Sequence, residues 1–244
     1  MPDCPNVFFL AGVKFGTSTD SAALQKINVE MPRLVSERFR KSRVVALSTG
    51  CVYPFVAASS GGSTELSGLG SVGDYAESCR GREDAFFGAS RDYGLRCAII
   101  RLNYSVEFRY GVFVDIGLKV LNGESVDVTT GHFNAIWQGD AVNYVIQSLN
   151  FASSPPFVIN VTGPDTLAVR LVARKFGEIF GKQPIFTGEE AQTAWLNNAA
   201  KARQLMGPTK IGVDEIINWT AEWLRQGGNT WGKPTLFERR SGNF

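Results

Sequence analysis

The chain has 244 residues, with 44% hydrophobic and 20% charged side chains, proportions of an ordinary globular protein that favour neither a disordered nor a membrane class. Lys plus Arg number 25 against 23 Asp plus Glu, a formal net charge of +2, and no run of adjacent basic residues is longer than two, so nucleic acid is not expected as a partner. The four cysteines (Cys4, Cys51, Cys79, Cys97) form no C-x-x-C pair and His132 is the only histidine, which leaves no zinc set and points to a reducing, cytoplasmic setting without a bound metal.

Val7-Phe8-Phe9-Leu10 is a continuous apolar run ended by Ala11-Gly12, as suits a parallel strand buried on both faces. Asp3 is the only charge before it, so it lacks the basic flank of a signal peptide, and no run in the chain approaches the roughly 18 apolar residues of a membrane span. Thr17-Ser18-Thr19-Asp20 supplies capping residues for a helix reaching about Lys41, with Leu24, Ile27, Leu34, Val35 and Phe39 on its apolar side. Pro32 should kink or divide that helix.

The run Arg43 to Thr49 is β-branched and apolar and reads as the second strand. The Ser/Gly-rich stretch from Ala58 to Gly70 is a long loop just past a strand's carboxyl end, where open α/β sheets bind ligands, so a functional loop is expected. A helix carrying Tyr75 runs to about Tyr93, Gly94 ends it, and Arg96 to Leu102 forms the third strand. This alternation predicts right-handed βαβ crossovers and a parallel sheet.

Beyond Asn103, the pattern predicts a helix from Val112 to Leu121, an extended stretch from Ser125 to Thr129, a helix from Gly139 to Phe151 and a strand from Phe157 to Val161. Three more helices follow, Leu167 to Phe180, Glu189 to Met206 and Val213 to Arg225, and then a tail of little periodicity. The fold class is α/β: a partial Rossmann-like, doubly wound parallel sheet with a smaller, mostly helical C-terminal lobe for substrate. The division is 1–110 for the sheet domain, 111–226 for the lobe, interleaved with the last strands, and 227–244 for the tail.

Two hydroxyls stand out. Ser48-Thr49 ends the second strand ahead of Val52-Tyr53, and Tyr75-Ala76-Glu77-Ser78 opens the next helix with Glu83 eight residues after the tyrosine. This pattern resembles the short-chain dehydrogenase/reductase superfamily and, more closely, the extended NAD-dependent epimerase/dehydratase family typified by UDP-galactose 4-epimerase. The resemblance implies that Thr49 is the catalytic hydroxyl and Tyr75 the base. It also implies NAD or NADP as cofactor, contacted by Leu10, Ala11, Gly12, Lys14, Asn28 and Ser48, and a sugar-nucleotide or related hydroxyl substrate contacted by Asn103.

Three departures from that family bear on function. The position one helical turn after Tyr75, a lysine in the family, is Cys79. A phenol with an ordinary pKa near 10 needs a nearby cation to become a base near neutrality. Lys14 is one substitute; Arg82 is seven residues along, roughly 10 Å up the helix axis, where only a long-range effect is expected. Next, no G-x-x-G-x-x-G turn precedes the first strand, so by resemblance the chain starts at the family's fourth strand, as a truncated form does. Finally, Val7 to Leu10 should then be an exposed hydrophobic edge that pairs with a second copy or a partner chain. Two functions follow as expectations: an oxidoreductase/isomerase of epimerase/dehydratase type, impaired in isolation, or a non-catalytic binding or interaction module on the same scaffold.

Overall fold

The β-branched runs of the sequence pair side by side, and the segments between them fold back as helices. The computed structural model describes residues 2–13 and 20–241. In chain order, β1 (Asn6–Phe9) is followed by α1 (Ser21–Leu24), a π-helical turn (Gln25–Glu30), α2 (Met31–Arg38), β2 (Arg43–Thr49), the short β3 (Val56–Ala57), α3 (Asp74–Tyr93) and β4 (Arg96–Leu102). Next come β5 (Ser105–Val106), α4 (Val112–Asn122), β6 (Ser125–Asp127), β7 (His132–Phe133), β8 (Ile136–Trp137), α5 (Gln138–Gln147) and β9 (Phe157–Val161). The chain closes with β10 (Leu167–Ala168), α6 (Val169–Phe180), β11 (Ile185–Thr187), β12 (Thr193–Ala194), α7 (Ala200–Met206) and α8 (Val213–Arg225).

The main sheet has the order β1-β2-β4-β9 and is parallel throughout. Its register sets Thr49 opposite Leu102 and Leu102 opposite Val161, so three strands finish level and present their carboxyl ends together. Side chains alternate across the sheet with the period of two that strands impose. Val44, Ala46, Cys97 and Ile99 pack with Phe86 and Ala89 of α3 on one face, and Val45, Ala98, Ile100 and Ile159 pack with Tyr144 of α5 and Ala202 of α7 on the other. β1 has one strand partner among the described residues, β2, and it leaves Phe8 39% and Leu10 57% exposed, the hydrophobic edge that the sequence predicts. A further core joins α4, α6 and α8 through Phe113, Ile116, Phe176, Ile216 and Ile217, which gives the second half its helical character.

Pro32 divides its helix as expected, and the structure shows how. Proline has no N–H to bond the carbonyl four residues back and crowds it. The helix widens into the π-helical turn Gln25–Glu30 and restarts at Met31, with Pro32 in the first turn of α2. The predicted start of that helix is supported at Asp20, whose carboxylate accepts from the Ala22 N–H at 2.9 Å; Thr17, Ser18 and Thr19 lie outside the described residues.

Two predicted helices are corrected. The segment Glu189 to Met206 is helical only from Ala200, because the backbone groups before it bond outward: β12 pairs antiparallel with β3, Ser63 N–H donates to Leu196 O at 2.8 Å, and Asn198 N–H donates to Ser63 O at 2.8 Å. Trp195 fixes this path, with its indole N–H on Tyr53 O at 3.1 Å and its ring stacked on Phe55 at 4.4 Å. The helix predicted from Leu167 begins at Val169, since Leu167 and Ala168 pair with β7. The tail of little periodicity is tied down: Phe237 is 2% exposed, and Thr130 donates to its carbonyl at 2.8 Å. Among the described residues, no helix is long and apolar enough to cross a membrane.

Candidate functional site

The carboxyl end of the sheet is held by a buried polar chain. Glu83 of α3 accepts from Ser48 Oγ at 2.6 Å and takes the Arg101 guanidinium in a two-pronged grip, Nε at 3.0 Å and Nη2 at 2.7 Å. Arg101 Nη1 donates to the Tyr53 hydroxyl at 2.7 Å, and that hydroxyl donates to Asn160 Oδ1 at 2.9 Å. These contacts lock β2, α3, β4 and β9 in one register, the arrangement that makes a buried ion pair tolerable.

Beside this chain lies a cavity of about 290 Å³, walled by Leu10, Gly12, Val13, Leu47, Ser48, Thr49, Cys51, Tyr75 and Arg82 on the sheet side. Leu102, Asn103, Tyr104, Ser105, Val106, Tyr110, Gly111, Val112 and Thr235 complete it. Such a volume is at the small end of ligand sites, which span about 300–1,000 Å³. It sits where an open parallel sheet places its ligands, past the strand carboxyl ends.

Both proposed catalytic residues line this space. Thr49 Oγ1 accepts from the Cys51 N–H at 3.2 Å, which caps the 3-10 turn Gly50–Val52 and leaves the threonine O–H proton as a donor. Tyr75, the second residue of α3, packs against Cys51, Val52, Tyr53 and Cys79. Burial holds its phenol well above the usual tyrosine range, Cys79 and Cys51 push the same way, and the Arg82 guanidinium pulls against them. Burial likewise raises the thiols, Cys51 up to about 12 and Cys79 in the same direction, so neither is a ready nucleophile at neutral pH.

The remaining sequence candidates fall in different places. Leu10, Gly12 and Ser48 line the cavity with Thr49 and Tyr75, whereas Ala11 is exposed and not among the lining residues. Lys14 lies outside the described residues. Asn28 is fully buried behind the wall: its Oδ1 accepts from Val13 N–H at 2.9 Å and from Arg82 Nη2 at 2.5 Å, and its Nδ2 donates to Ser78 Oγ at 2.9 Å. Asn103 lines the cavity while its Nδ2 donates to Asn134 Oδ1 at 2.7 Å and Trp195 O at 3.3 Å. The long loop from Ala58 to Gly70 contributes no lining residue, contrary to expectation; it braces the chain instead, with Glu65 accepting from Asn160 N–H at 2.8 Å.

Arg82 acts on Tyr75 through its charge alone, as the sequence predicts, yet it also lines the cavity. Helical side chains lean toward the amino end of their helix, so a long arginine recovers much of the axial separation counted between Cα atoms. Its guanidinium reaches the cavity wall, where Nη1 donates to Leu47 O at 2.9 Å. The far wall was not legible from motifs either. Tyr104 has a left-handed backbone with φ 40°, a conformation costly for a bulky side chain, and Thr235 is held by Asp115, which accepts from its N–H at 2.7 Å and its hydroxyl at 2.6 Å. Among the described residues no cluster of three or more His, Cys, Asp or Glu could hold a metal ion.

No family model matches the chain, and no curated protein does. Solved structures do. The chain is similar to UDP-glucuronic acid 4-epimerase from Bacillus cereus in complex with NAD, at TM-score 0.79 and 15% identity over 92% of this chain and 75% of that one. It is similar to MoeE5 in complex with UDP-glucose and NAD, at TM-score 0.75 and 19% identity over 91% of this chain and 80% of that one. A UDP-galactose 4-epimerase superposes at TM-score 0.73 and 21% identity, over 92% of this chain and 79% of that one. The fold is that of the NAD-dependent epimerases. Within the epimerase fold the α/β class and the Rossmann-like parallel sheet read from the sequence are both present.

Proposed function

We propose that the cavity binds a hydroxyl-bearing small molecule of sugar-nucleotide type next to a nicotinamide cofactor, NAD or NADP, and that the chain is an oxidoreductase/isomerase of epimerase/dehydratase type. The observation that carries this reading is that Thr49, Tyr75 and Asn103 line one cavity at the strand carboxyl ends, in a fold whose solved relatives hold NAD and UDP-sugars. When bound, the nicotinamide supplies the hydride acceptor.

The chain's own groups divide the remaining work. Thr49 donates a hydrogen bond to the substrate oxygen and positions it. Tyr75 exchanges a proton with that oxygen. Its raised pKa keeps the phenol protonated in the ligand-free protein, so proton removal by Tyr75 awaits a change in its surroundings on binding. Leu10, Val13 and Leu47 give an apolar wall suited to a flat ring. At about 290 Å³ the space fits a ring-sized end of each ligand and leaves the remainder outside.

Calorimetric titration of the purified protein with NAD and with NADP tests the reading. Saturable heat and a raised Tm with either supports it. No heat and no thermal shift ends the catalytic reading and leaves the second one, a binding module on the same scaffold. That alternative is favoured by one specific feature, Cys79 hydrogen-bonded to Tyr75 where the family resemblance calls for a lysine.

A further inference from the structure

Charged side chains are seldom fully buried unless paired, because removing an ion from water is costly. Arg101 obeys this rule through Glu83; Arg82 does not. It is 6% exposed, and the acceptors of its two terminal nitrogens, Leu47 O and Asn28 Oδ1, are both neutral. Its Nε finds no hydrogen-bond partner among the described residues. No salt bridge to a carboxylate is formed by Arg82 among those residues, and residues 14–19 contain no Asp or Glu to supply one. The nearest acid in sequence, Glu83, has both oxygens engaged by Arg101 and Ser48.

Among the described residues, the same guanidinium is the only ionised side chain lining the cavity. It lies against Gly12, where a Cβ would overlap Nη2, so glycine at position 12 is what lets the charge reach this corner. Two carboxylates neighbour other lining residues: Asp115 accepts from the Thr235 hydroxyl, and Glu238 acts electrostatically on Tyr104.

We propose that the Arg82 corner of the cavity, beside Gly12, is an oxyanion subsite that takes a phosphate or carboxylate group of a small-molecule ligand. The missing counter-charge of Arg82 is then supplied by the ligand, through a planar donor array suited to two oxygens of one group. The site holds for the catalytic and the binding-only reading alike, so failure of NAD titration does not touch it.

The test is calorimetry at constant ionic strength with sodium phosphate and, separately, sodium acetate, on wild type, Arg82→Gln and Arg82→Lys. Saturable binding is expected in wild type, weakened at least tenfold in Arg82→Gln and partly retained in Arg82→Lys; preference for phosphate or acetate tells which group the site serves. No saturable binding of either anion in wild type, or equal binding in Arg82→Gln, overturns the proposal. A second measurement needs no variant. In ¹H–¹⁵N spectra of wild type, phosphate or acetate should shift the Arg82 Nε–H and Gly12 amide signals saturably, while shifts confined to the surface residues Arg38, Arg40 and Lys41 overturn it.

Discussion

Replacing Glu83 by Gln removes one charge from the buried chain that orders the site and leaves its shape almost unchanged. Glu83 and Arg101 side chains are 2% and 6% exposed, so water cannot take over the lost partner. Three short hydrogen bonds to the carboxylate, from Ser48 and twice from Arg101, lose their charge assistance together, and the new amide must turn its N–H₂ toward one of those donors. Breaking a buried pair by removing one partner costs about 3–5 kcal/mol. That is a large part of the roughly 5–15 kcal/mol that holds a domain folded. For a chain of this size each kcal/mol moves Tm by about 2–4 °C, so Glu83→Gln should melt roughly 6–20 °C below wild type. Urea unfolding should show the lower midpoint with an unchanged m-value, and Glu83→Gln/Arg101→Met should regain part of the loss, since it removes the orphaned cation. A Glu83→Gln protein within about 1 kcal/mol of wild type would refute this account of what holds the strand ends together.

Stability should also fall on the alkaline side. Burial raises Cys51 from 9.0 to about 12, and raises Cys79, Cys97, Tyr75 and Tyr104 as well, so above pH 9 the folded protein keeps protons that the unfolded chain releases. The contribution is complete below pH 9 and is lost as pH rises toward 12; for Cys51 alone it amounts to about 4 kcal/mol, so Cys51→Ser should flatten the decline and equal slopes would count against it. At the sheet edge, exposed Phe8 on β1 and Leu10 just after it should drive association. Light scattering at micromolar concentration should find a dimer or larger species that Phe8→Lys converts to monomer; a monodisperse wild-type monomer contradicts this.

Much of the scaffold could be read from the chain because its signals are local. Arg43–Thr49, Arg96–Leu102 and Phe157–Val161 are dense in β-branched residues, and Gly94 closes α3 in the left-handed conformation that glycine favours. Thr49 and Tyr75 were legible because each stands at the end of such an element. The segment before Ala200 was not, since its helix-like composition is overruled by the anchoring of Trp195 on Tyr53 and Phe55. That Arg82 reaches the cavity wall was not legible, since rise along the helix axis does not show the lean of a long side chain. The wall formed by Tyr104, Tyr110 and Thr235 comes from segments distant in sequence, and no spacing rule connects Thr235 to Asp115.

The central claim is that Thr49 and Tyr75 front the place where a hydroxyl ligand binds. Titration of UDP-glucose, in the presence of NAD, into wild type and Thr49→Val measures it most directly. One lost hydrogen bond is worth about 0.5–1.5 kcal/mol, so saturable binding should weaken by roughly 2- to 13-fold in Thr49→Val with the fold intact. Identical affinity in the two proteins, or no saturable binding in wild type, contradicts the claim.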